Sequence, residues 1–74
     1  MYEVLQSKFL IGGWQGKGMY KVGFLNVDGK EDAIIIVAET IFDLCDMFSD
    51  FIRHQNVTLS PADAYVNLER VTLK

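Results

Sequence analysis

Three groups of residues have types and spacings that bear on chemistry. The first is the loop Gly12-Gly13-Trp14-Gln15-Gly16-Lys17-Gly18. Glycines beside a lysine can cradle phosphate, but a phosphate-binding loop needs a glycine five places before its Gly-Lys pair and Ser or Thr after it. Here those places hold Ile11 and Gly18, and a strand-like run follows where a helix should. The dinucleotide fingerprint fails as well, because Gly16-x-Gly18 requires a glycine at position 21, which is Lys21. The loop therefore reads first as a glycine-rich hairpin connection with Trp14 packed over the sheet. Two alternatives use its side chains: Trp14 as an anchor for a protein partner, or Trp14 with Lys17 and Lys21 as a stacking and charge-neutralising site for single-stranded nucleic acid. The acidic balance and the lack of a basic stripe count against nucleic acid.

The second group is acidic. Glu39, Asp43, Asp46 and Asp50 are spaced four, three and four apart. At about 100° per residue they share a wedge of roughly 60° on a helix, opposite Phe48. No lysine lies nearby to relieve them, and only Arg53 is close. One reading is a solvated outer face. The other is a row of acids that engages a basic partner surface, as nucleic-acid mimics and toxin-neutralising proteins do, by analogy of charge pattern.

The third group is Cys45, His54 and their neighbours. Nine residues on a helix turn about 180° and rise about 13 Å, so Cys45 and His54 cannot form a catalytic pair within one chain. Cys45 reads as a small core residue. Asp50 and His54, with Asp46, supply three oxygen or nitrogen ligands but no second shell, and no loop matches a calcium-binding loop. Ser7, Ser49 and Ser60 have no motif around them. No metal, no cofactor and no enzymatic activity are expected.

The elements that must position these residues belong to one small domain, residues 1–74. Half of the residues are apolar, a high share for so short a chain, and a single cysteine excludes an internal disulfide. Surplus apolar surface then calls for a homo-oligomer or a partner protein. The N-terminus has no basic run ahead of an apolar core, and the longest apolar run, Ala33 to Ala38, is far short of the roughly 20 residues that span a bilayer. A cytoplasmic protein with no membrane association is expected.

Residues 2–11 read as a strand and 19–27 as a second, with Tyr20, Val22 and Phe24 on one face. Asp28-Gly29 signals a two-residue hairpin. Residues 32–38, apolar on both faces, suit a central strand. If a helix covers Ile35 and Val37, then Ile34 and Ile36 look out of the other face, and a second copy of the sheet would cover them. Thr40 caps a helix with Asp43 three residues on, and Ile41, Leu44, Cys45, Phe48, Phe51 and Ile52 form its apolar stripe. That helix should end near Gln55-Asn56. Ser60-Pro61-Ala62-Asp63 starts a helical turn, and residues 65–73 read as a last strand, with a helix as the alternative. The expected class is α+β: a β-β-β-α-β domain with an antiparallel-rich sheet and one amphipathic helix on a face.

The net charge of −3 is uneven: residues 1–30 carry +2, residues 31–50 carry −6 with no base, and residues 51–74 carry +1. Two functions are expected from this pattern. The first is a non-catalytic protein-interaction module, an acidic inhibitor or neutraliser of a basic or nucleic-acid-processing target, of the kind found among accessory proteins of phages and mobile elements. The second is a structural protein that self-associates through its sheet.

Overall fold

The computed structural model describes residues 2–55 and 59–72. The chain runs α1 (Tyr2–Gly12), β1 (Gly18–Leu25), β2 (Glu31–Ala38), α2 (Ile41–Gln55), α3 (Pro61–Ala64) and β3 (Tyr65–Val71). The three strands form one antiparallel sheet in the order β2-β1-β3. The helices lie on one face of it, α2 against β2 and α1 against β3. The protein is thus a small α+β domain.

The centre of the sheet is β1, whose Tyr20, Val22 and Phe24 are buried as their alternation requires. Above them α2 lays down Ile41, Leu44, Cys45, Phe48 and Ile52, all buried, with Phe51 partly buried beside them. Its start is capped as expected: the Asp43 N–H donates to Thr40 Oγ1 at 3.1 Å. Asn56 lies outside the described residues. Phe48 meets Phe9, Phe24 and Tyr65 edge-on, with centroids 5.9 to 6.4 Å apart. The tail follows the strand reading. Ser60 caps the single turn of α3, accepting from the Asp63 N–H at 3.3 Å and donating to Asp63 Oδ2 at 2.8 Å, and β3 begins at once. Leu73 lies outside the described residues.

Five expectations are corrected. Residues 2–11 form a helix, so the element order is not β-β-β-α-β and two long helices, not one, cover the sheet. The helical signal was the pair Leu5 and Phe9, one turn apart and both buried. It was masked by Val4, Leu10 and Ile11, which are exposed and break up both a two-residue and a helical period. The Gly12–Gly18 segment is therefore a helix-to-strand connection. Gly13, at φ +118°, leaves the helix, and the Trp14 N–H donates back to the Phe9 carbonyl at 3.0 Å, a Schellman-type closure.

The β1–β2 hairpin exists, but its loop is longer than two residues. Asn26 and Lys30 close it, with Gly29 in the left-handed region at φ +76°. This is a type I turn followed by a bulge residue, held by Asn26 Oδ1, which accepts from the N–H groups of Asp28 and Lys30.

Finally, β2 is an edge strand, and its phase is the reverse of the one expected. Ile36 and Ala38 are buried and Ile34 packs against the core, while Ile35 and Val37 are 56% and 61% exposed. The register decides this, because Tyr20 pairs with Ile36 and Val22 with Ile34 across the ladder and side chains opposite each other share a face.

Candidate protein-interaction surface

The face of the sheet away from the helices carries Met19, Lys21, Gly23 and Leu25 from β1, flanked by Ala33, Ile35 and Val37 of β2 and Asn67, Glu69 and Val71 of β3. One row across it, Val37-Met19-Val71, is apolar. The next, Ile35-Lys21-Glu69, sets a base beside an acid. The self-association expected at Ile34 and Ile36 has no surface there, since both side chains face the helices. The apolar positions that solvent reaches are Ile35 and Val37.

The expected loop site is divided by the fold. Trp14 is partly buried and stacks on Tyr20, with centroids 4.8 Å apart and planes at 24°. Tyr20 belongs to the inner face, whereas Lys21, one residue on, points from the outer face. Lys17 is exposed on the loop itself. Trp14, Lys17 and Lys21 are thus not brought to one surface.

The loop backbone is also held. The Tyr20 hydroxyl accepts from the Gln15 N–H at 2.9 Å and donates to the Gly16 carbonyl. From β3, Arg70 donates to the carbonyls of Gln15 and Lys17 at 2.8 and 3.1 Å, with its guanidinium 5.9 Å from the Tyr20 ring. The role of Arg70 is not legible in the sequence, because it depends on a register between residues far apart in the chain.

The acidic row divides differently. Asp43, Asp46 and Asp50 lie along the outer side of α2, while Glu39 precedes the helix, exposed at the end of β2. Asp50 has Arg53 at 4.0 Å in an exposed ion pair, which contributes little stability. On the helical wheel, Phe42 and Met47 bracket the acids on either side. Their exposures are 54% and 45%. Both are visible in the sequence, but neither sits on the apolar stripe, and periodicity alone assigns such residues no function. Because Phe48 points from α2 toward α1, β1 and β3, the acidic side of the helix is the one turned away from them.

The remaining candidates for chemistry are quiet. Cys45 is fully buried, and burial, with the Asp46 charge adding to it, pushes its thiol up to about 11. His54 Nδ1 faces the backbone carbonyl of Asp50 at 2.7 Å. Among the described residues, no three acidic, histidine or cysteine side chains gather as a metal site. A shallow groove of about 390 Å³ runs between α1 and β3, with Ile11 at its rim 88% exposed. The cation beside it is engaged, Lys8 Nζ donating to the Ala62 carbonyl at 2.8 Å. No described helix is long and apolar enough to cross a membrane.

Comparison with known proteins adds no relative: no family model, curated protein or solved structure matches the chain.

Proposed function

We propose that this protein is a non-catalytic interaction module that docks a basic protein surface on the outer side of α2, and that it acts as an inhibitor or neutraliser of such a target. The observation that carries this reading is the placement of Phe42 and Met47, each about half exposed, on either side of Asp43, Asp46 and Asp50. A face that only keeps a helix in water gains nothing from apolar groups there. A docking face gains from them, because buried apolar and aromatic anchors supply most interface energy while charges around them set orientation and partner choice. The run of six acids without a base over residues 31–50 gives that choice its sign.

The test is a comparison of baits in lysate of the source cell or its host. The wild-type protein should retain a partner at low salt that is released at high salt and is lost by the Asp43/Asp46/Asp50→Ser variant. Met47→Ser should weaken the same capture without altering its salt dependence. If all baits retain the same proteins, or none, the acids are plain solvated surface.

A further inference from the structure

Along its whole length β2 pairs with β1 on one side and with no other described strand. Alternate backbone N–H and C=O groups on its other side therefore face outward; of these, the Ala33 N–H is met by Asp32 Oδ1 at 2.8 Å. Proteins commonly guard such an edge with lysine, proline or a bulge. The eight residues Glu-Asp-Ala-Ile-Ile-Ile-Val-Ala contain no Lys, Arg or Pro, and their register with β1 is unbroken. The other edge of the sheet differs: the β1–β3 ladder shifts register at Gly23/Phe24. The open edge of β2 is bounded by acids, Glu31 and Asp32 at its start and Glu39 just past its end.

We infer that the free edge of β2 accepts an extended segment of a partner protein as a fourth strand, and that this segment is apolar at alternate positions and carries Lys or Arg toward its ends. Backbone pairing would hold the segment, Ile35 and Val37 would meet its apolar side chains on the outer face, and the acids at both ends would select its charge. The charge pattern also discriminates against a second copy of this chain. An antiparallel copy of β2 brings Glu31 and Asp32 toward Glu39 of the other molecule at both ends, and a parallel copy sets each acid beside itself. The basic character of the partner rests on the acids at the two ends of β2 together with the reading of α2 given above, whereas the strand addition rests on the open edge.

The probe is a synthetic alternating valine–lysine peptide long enough to span β2, compared with a version carrying prolines at two central positions. Amide hydrogen exchange is followed in the unlabelled complex at low salt. The expected result is new protection of the β2 amides that are not bonded to β1, about tenfold weaker binding of the proline version, and loss of protection in the Ile35→Lys/Val37→Lys variant. Both replaced side chains are more than half exposed, and thermal unfolding checks that the variant folds. Four results overturn the inference: no binding at millimolar peptide, binding that leaves β2 unprotected, equal binding of the proline version, or β2 amides already protected in a free protein that sediments as a dimer. Failure of the two readings is separable. Partner loss in the serine variant together with an unprotected β2 leaves the α2 surface standing and removes the strand addition. Protection of β2 with no effect of the serine variant on capture does the reverse.

Discussion

Removing the hydroxyl of Tyr20 leaves two loop groups without their partner, the Gln15 N–H and the Gly16 carbonyl. Tyr20→Phe should therefore cost about 1–2 kcal/mol in chemical denaturation. It should also shift the emission of Trp14, the only tryptophan and the ring stacked on Tyr20. Gly12 tests space in place of bonding, because a Cβ there would collide with the Tyr65 hydroxyl. Gly12→Ala should destabilise the protein, and Tyr65→Phe in the same chain should recover much of the loss, a coupling that a double-mutant cycle reads directly. Cys45 should resist thiol reagents in the folded protein and react once denatured, since the reactive species is the thiolate and burial disfavours it. The folded thiol ionises near 11 against an ordinary value of 9.0. Its contribution to stability is complete below about pH 9 and is lost as pH rises toward 11, by up to about 1.4 kcal/mol per unit. Tyr65, raised by burial from 10.0, acts in the same direction. Denaturation midpoints should fall through this window, less steeply for Cys45→Ala.

At the scale of elements, α2 was legible because three independent signals agree: the Thr40 cap, the apolar stripe and the absence of glycine and proline. Thr40→Ala should cost about 1 kcal/mol through the lost bond to the Asp43 N–H. The serine triple variant should leave the far-ultraviolet circular dichroism unchanged, because Asp43 is only partly buried and Asp46 and Asp50 are exposed. The Ser60-Pro61 start and the strand after it were legible for similar reasons of cap chemistry and composition. Other features were not. Among the described side chains of α1 only Leu5 and Phe9 are buried and apolar, so its pattern is dominated by residues that solvent reaches. For β2, a run of Ile and Val has no phase of its own. Only pairing with β1 decides that Ile36 is inside and Ile35 outside, and that pairing is set by a turn whose length the Asp28-Gly29 signal understated. The acids of the candidate surface could be read from spacing, while Phe42 and Met47 gained meaning only from their exposure beside those acids.

The whole molecule depends on one aromatic cluster. Phe9, Phe24, Phe48, Phe51 and Tyr65 touch through edge-to-face contacts drawn from four different elements. A chain of 74 residues has a total stability of about 4–11 kcal/mol by its size. Phe9→Ala, at about 3–5 kcal/mol, removes a large part of that. Its melting temperature should fall by at least about 12 °C, and a smaller drop would show that the cluster tolerates the loss of the Phe9 ring.

The seating of β3 beside β1, with α1 resting on it, has a consequence for synthesis. The ladder that completes the central strand, the Arg70 bonds to the loop and the Ala62 carbonyl that receives Lys8 all come from residues 61–71. Translation delivers them after everything they hold. While that segment is still inside the ribosome, the earlier part of the chain has a helix without its floor and a strand with one neighbour, and Phe9 and Phe48 lack the Tyr65 ring. The nascent chain then has its central strand paired on one side only, and the ladder closes only after residues 61–71 have emerged.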